Sequence, residues 1–188
     1  MGKIIHMAKA GKISIADLKK SMNKSMGIEA AHDLRKENPT EVKEWIPTGS
    51  RWLDSIICKG KMAGIPVGKI SEIAGLSSVG KSYLAVQIAA QAQKQGKFVV
   101  YYDAESAIDP QFLKDSGIDM NDNFLYVQAV SVELVLKGIE DMMDQYGHQQ
   151  QFVFIWDSIA ATPSDKDIEG DFNPQSSMAV KPRIFSKA

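Results

Sequence analysis

Apolar positions recur along this chain in two rhythms, and each rhythm predicts a different kind of element. Spacings of three and four put Ile15, Leu18 and Met22 on one face of a helix over residues 13–26, with lysines on the remaining face. The same period joins Leu84, Ile88 and Ala92 in an Ala-rich helix over 83–95. It also joins Val132, Val135, Leu136, Ile139, Met142 and Met143 in a helix that Ser131 caps and that runs to about Gln145. Continuous apolar runs at 98–102 and 152–156 have the character of buried strands, and 69–74 and 124–127 read as shorter ones. Between them, 51–57 reads as a short amphipathic helix and 111–114 as another, ending near Gly117. Residues 45–50 read as a turn, and 59–68, with three glycines and a proline, as a loop. Strand, helix and strand in this alternation form βαβ units, so the pattern predicts an α/β fold with a mainly parallel sheet.

Composition narrows the class without choosing a function. At 188 residues, 44% hydrophobic and 24% charged, the chain is long enough for one domain with a substantial core. Its longest apolar runs are too short to span a bilayer, and no secretory apolar segment follows Met1. A single cysteine, Cys58, excludes an intrachain disulfide framework and points to a reducing, cytoplasmic setting. The net charge of -1 hides a segregation: residues 1–40 hold eight Lys/Arg against four Asp/Glu, 103–171 three against fifteen, and 172–188 three against none. Basic ends around an acidic centre predict polyanion or partner contacts at the ends and a metal-compatible site in the middle, with plain solvated charge as the competing explanation.

One stretch carries a specific chemistry. Gly75, Leu76, Ser77, Ser78, Val79, Gly80, Lys81 and Ser82 fit G-x-x-x-x-G-K-[ST], with a strand expected before and a helix after. Glycines there let successive backbone N–H groups converge on phosphate oxygens at the positive end of the helix, which predicts a nucleoside-triphosphate site. Lys81 would reach the terminal phosphates and the Ser82 hydroxyl would take a place on Mg2+. Asp103 and Glu105 follow the strand at 98–102, at the end of the sheet where α/β folds bind ligands, and both would face one way if the extended path continued. Glu105 is the expected general base for an attacking water. Asp157 ends the apolar strand 75 residues beyond Ser82, where a carboxylate can hold Mg2+ through water.

In order and wording these motifs resemble the RecA recombinase family, including phage recombinases of the UvsX type. The matching residues are Pro47-Thr48-Gly49-Ser50, Gly68-Lys69-Ile70, residues 75–82, Asp103-Ala104-Glu105-Ser106-Ala107-Ile108-Asp109-Pro110, Asp157-Ser158-Ile159-Ala160-Ala161, Ile168-Glu169-Gly170 and Ser186-Lys187-Ala188. The resemblance implies a DNA-dependent ATPase that uses ATP and Mg2+, polymerises as a helical filament on single-stranded DNA and drives strand exchange with a homologous duplex. It implies Glu105 as the catalytic carboxylate alongside Lys81, and Ser82 and Asp157 on the metal. Tyr83, Asp109 and Phe112 would lie against the nucleotide, with Phe112 in place of a tyrosine common there. Residues 169–178 match the first DNA-binding loop, Met178 placed to insert beside a base and Lys181, Arg183 and Ser186 to reach DNA. That loop is about one residue longer than the family pattern, and Pro182 departs from the pattern. The helix at 13–26 resembles the element by which one protomer packs on the next. The division implied is a basic N-terminal arm and helix over 1–44 and a partial RecA-type ATPase core over 45–188.

The family's sheet places one further strand between the strand of Asp157 and the strand of the phosphate loop, and its residues would follow Ala188. The expectation is therefore an incomplete core, a chain unable to exchange strands alone, and a need for a complementary C-terminal chain or continuation. Two other readings stay open: a non-catalytic module that caps or modulates a recombinase filament through residues 13–26, and another ATPase of the same broad group, such as a ring helicase.

Overall fold

The computed structural model describes residues 13–170 and 180–187. The chain divides into two compact units, with the boundary between Lys43 and Glu44. In the first, α1 (Ile15–Met26) starts at Ser14, whose hydroxyl accepts from the Asp17 N–H, and stops at Gly27, which adopts the left-handed conformation of a helix C-terminus. Asn23 then gathers the following turn: its side-chain oxygen accepts from the N–H groups of Ala30 and Ala31. Glu37 takes the Lys19 ammonium. The apolar stripe of α1, Ile15, Leu18, Met22 and Met26, stays exposed along its length.

The second unit opens with β1 (Trp45–Ile46), paired antiparallel with β2 (Ile65–Pro66), where the sequence suggested a turn and a loop. Gly64 makes this pairing possible, because a β-carbon there would lie 2.1 Å from the Ile46 carbonyl oxygen. Between them, α2 (Arg51–Ile57) is capped by Ser50, and buried Asp54 accepts from the Thr48 N–H at 2.8 Å. The main sheet has three parallel strands in the order β4-β3-β5: β3 (Phe98–Asp103) in the centre, β4 (Phe124–Gln128) and β5 (Phe152–Asp157) on either side. Alternation along β3 splits the core. Val99 and Tyr101 face α3 (Lys81–Lys94), together with Val86, Ile88, Ala89 and Ala92 of that helix. Val100 and Tyr102 face Val135 and Ile139 of α5 (Val132–Tyr146) on the other side. Ser131 caps α5 as expected, accepting from the Leu134 N–H. The short α4 (Pro110–Asp115) begins on its proline, and Pro182 is the third residue of α7 (Val180–Phe185), within the first turn, where proline is tolerated. An unanticipated helix, α6 (Asp165–Glu169), starts on a capping box between Ser164 and Asp167.

One expected strand is missing. Residues 69–74 run without ladder partners and are exposed throughout, Ile70 completely so. An apolar run makes a strand only when a neighbour supplies its hydrogen bonds, and among the described residues β5 pairs with β3 alone. The segment instead borders a cavity of about 460 Å³ lined by Leu53, Ile57, Ile65, Ile73, Leu84 and Ile88, among others.

Candidate functional site

The glycine-rich loop ends where α3 begins, and its backbone explains its residues. Ser78 and Gly80 both lie in the left-handed region, at φ 61° and 93°. At Gly75 a β-carbon would press on Val79 Cγ2 at 3.1 Å. Gly80 is the N-cap of α3, so no side chain caps its first amides, and no acidic residue lies in the first turn. A fourteen-residue helix with bare leading N–H groups presents a partial positive charge to the exposed loop. The Lys81 ammonium is folded across the same loop, donating to the carbonyls of Gly75 at 3.2 Å and Leu76 at 2.7 Å. Ser82 is the next residue of α3 and is half-buried.

A three-residue link, 95–97, joins the C-terminal end of α3 to the start of β3. A helix of about 21 Å packed back along a strand of about 20 Å must run antiparallel to it. Lys81 and Ser82 therefore lie toward the end of the sheet where β3 and β5 finish. There Asp103 and Asp157 are opposite one another in register, on the face covered by α3. Their surroundings differ. Asp103 is buried, with Oδ1 accepting from the Glu105 N–H at 3.0 Å, and Oδ2 from the Ile108 N–H at 3.1 Å and the Tyr126 hydroxyl at 3.2 Å. Asp157 is half-buried, and its Oδ2 accepts from the Tyr101 hydroxyl at 2.8 Å. Burial first, and then the bond to Asp157, pushes the Tyr101 phenol far above its ordinary pKa, so it remains a protonated donor. Tyr126 is shifted upward too, by burial and by the Asp103 charge.

Glu105 lies off the strand rather than along it. The chain bends after Asp103 and reaches φ 51° at Ser106, so the alternation that would align Asp103 with Glu105 stops at the strand end. Glu105 is exposed, and Asp103 fixes its backbone. Sequence reasoning singled out the acids and missed the tyrosines beneath them. Their signal was present in the pattern: Tyr101 is two positions before Asp103 and so on the same face.

The remaining expected residues fall into two groups. Tyr83 of α3 and Phe112 of α4 come together with ring centroids 6.2 Å apart, and Asp109 caps α4 by accepting from the Gln111 N–H. Near the end of the described chain, the Lys181 ammonium donates to the Ala160 carbonyl at 3.1 Å, and the Ser186 hydroxyl donates to the Arg183 carbonyl at 2.8 Å. Arg183 is exposed. Phe185 packs its ring 5.8 Å from that of Trp156. Met178 lies outside the described residues.

Among the described residues, no cluster of three or more His, Cys, Asp or Glu side chains is positioned to hold a metal ion, and no helix is long and apolar enough to cross a membrane. The sequence matches the family described as RecA N-terminal domain over residues 13–188. It is 36% identical over 168 residues to Protein RecA of Aquifex pyrophilus, covering 89% of this chain and 46% of that protein. To Protein RecA of Bifidobacterium breve it is 34% identical over 175 residues, 93% of this chain and 41% of the relative. To Protein RecA of Aquifex aeolicus it is 33% identical over 180 residues, 96% and 48% respectively. The chain thus spans a little under half the length of these curated relatives.

Proposed function

Because the chain belongs to the RecA N-terminal domain family, we propose that it is the nucleotide-binding portion of a cytoplasmic DNA-dependent ATPase of homologous recombination and repair. In this reading the protein assembles as a filament on single-stranded DNA and exchanges strands with a homologous duplex. The observation that carries it is the uncapped, glycine-led start of α3, at the same end and on the same face of the sheet as Asp157. Residues 75–82 bind the phosphates of ATP through backbone amides, and Lys81 leaves the carbonyls of Gly75 and Leu76 for phosphate oxygens. The donors suit Mg2+: a hydroxyl from Ser82 and a carboxylate from Asp157 are hard oxygens, and Mg2+ commonly takes one or two protein oxygens, with phosphates and water completing its shell. When bound, the ion neutralises charge on the transferring phosphoryl group. Glu105, exposed beyond the strand end, orients and deprotonates the attacking water. Tyr83, Phe112 and Asp109 border the base, and Met178, Lys181, Arg183 and Ser186 face DNA.

The exposed stripe of α1 supports its use against a second protomer. The side of β5 that has no ladder partner among the described residues, and the exposed Ile70, support a requirement for another strand, from the same polypeptide or from a complementary chain. Binding of a fluorescent ATP analogue, and hydrolysis with and without single-stranded DNA, test the proposal. Wild type should bind, and Lys81→Ala should lose about a hundredfold in affinity, several charge-assisted hydrogen bonds being removed together. Equal binding by both proteins would overturn it. A chain that binds nucleotide, adds no hydrolysis and shortens the filaments of an intact homologue at substoichiometric ratio would instead establish the capping reading, which rests on the same α1 stripe.

A further inference from the structure

Two neighbouring acids, Asp103 and Asp157, end β3 and β5, and Tyr101 and Tyr126 lie one step back on the same face. Tyr101 pairs in register with Tyr126 on one side and Ile155 on the other, while Asp103, two residues further on, pairs with Gln128 and Asp157. All these side chains share a face, because they are separated by even steps along parallel strands. Adjacent parallel strands lie about 4.8 Å apart, so the two acids are neighbours across the sheet. The hydroxyls divide between them. Tyr126 donates to Asp103, whose two oxygens are already engaged by the amides of Glu105 and Ile108. Tyr101, fully buried in the centre of the sheet, reaches diagonally across to Asp157 Oδ2 instead. A buried ring on a central strand has little rotational freedom, so its hydroxyl is a fixed point rather than a mobile one.

We propose that Tyr101 is a positioning residue for Asp157: its hydroxyl pins Oδ2 and leaves Oδ1 as the oxygen presented to Mg2+. The inference rests on the proposed nucleotide site and deepens it. Partners that orient a ligating group through its second atom typically change metal affinity by 10- to 100-fold when removed. Tyr101 makes a single bond to a carboxylate that solvent also reaches, which puts its effect near the lower end.

The test uses the 188-residue chain and its Tyr101→Phe variant, with affinity for a fluorescent ATP analogue measured across a Mg2+ titration and in excess chelator. The expected result is a Mg2+ half-saturation about tenfold higher in Tyr101→Phe, with Mg2+-free affinity unchanged. A purely structural role would move both affinities together, or the melting temperature alone. In the Asp157→Asn background, where the amide no longer offers the same anionic oxygen, Tyr101→Phe should add no further shift. A folded Tyr101→Phe variant with the wild-type Mg2+ midpoint overturns the inference, as does a shift that persists in the Asp157→Asn background. A wild type that binds nucleotide with no dependence on Mg2+ removes the metal role of Asp157 and this inference with it.

Discussion

The Tyr102 hydroxyl lies against Gly138 of α5, so close that a β-carbon on that glycine would stand 2.9 Å from the phenol oxygen. Tyr102 is 2% exposed, and among the described residues its hydroxyl has no hydrogen-bond partner. The glycine therefore serves the packing of α5 on the sheet, at a cost of about 1 kcal/mol in helix propensity relative to alanine.

Gly138→Ala should destabilise the chain by about 1–3 kcal/mol, because overpacking outweighs the helix-propensity gain. Tyr102→Phe should be neutral or stabilising, since it removes a buried hydroxyl that has no hydrogen-bond partner among the described residues. In the Tyr102→Phe background the same Gly138→Ala change should become favourable. A double-mutant cycle by urea denaturation measures this, and additive effects would refute the contact as the cause.

A second prediction concerns acid. Lys97 is 1% exposed, and its ammonium bonds to Glu44 and, at 2.7 Å, to Gln151 Oε1. The bond from Lys97, and then the one from Gln151, hold the Glu44 carboxyl below the ordinary glutamate value. The folded state thus takes up this proton less readily than the unfolded chain. The stabilisation is complete above the unfolded value of about 4.3 and is lost as pH falls through the lower folded value. The urea midpoint of wild type should drop between about pH 5 and pH 3, and Glu44→Gln should flatten part of that slope. An unchanged slope would show that the pair does not contribute.

Asp103 yields a third prediction, on the loop that carries Glu105. Its carboxylate holds the N–H groups of Glu105 and Ile108 from both oxygens. Asparagine offers a single acceptor oxygen, so Asp103→Asn should orphan one amide and cost about 1–3 kcal/mol. Amide hydrogen exchange at Glu105 and Ile108 should accelerate well before global unfolding. Exchange as slow as in wild type at both amides would contradict the role assigned to Asp103.

The legible parts of this protein were those decided by neighbours in sequence. The period of Val132, Val135 and Ile139 placed α5, and the apolar run before Asp157 placed β5, because a helix face or a buried strand imposes its own local spacing. The loop at residues 75–82 was legible because its glycines sit at fixed spacing before a helix, Gly80 in the left-handed conformation that glycine adopts freely. What failed depended on partners. Residues 69–74 have strand-like composition but, among the described residues, no ladder to join. The β1–β2 pair was hidden by the prolines at 47 and 66, which suggested turns at what proved to be strand ends. Glu105 was aligned with Asp103 on the assumption of a continuing extended path, and the bend that breaks it is stabilised by Asp103 itself. The tyrosines of the rim were invisible as a pair because only the register of β3 with β4 and β5 sets them under the acids.

Among the described residues nothing pairs with the outer side of β5, a row of amides and carbonyls beside half-buried Phe152, Phe154 and Trp156. Such a row adheres to any extended segment it meets, including its own copy in another molecule. In concentrated solution the isolated polypeptide is therefore expected to clump with time, and its solubility to improve when a β-strand peptide is supplied in trans.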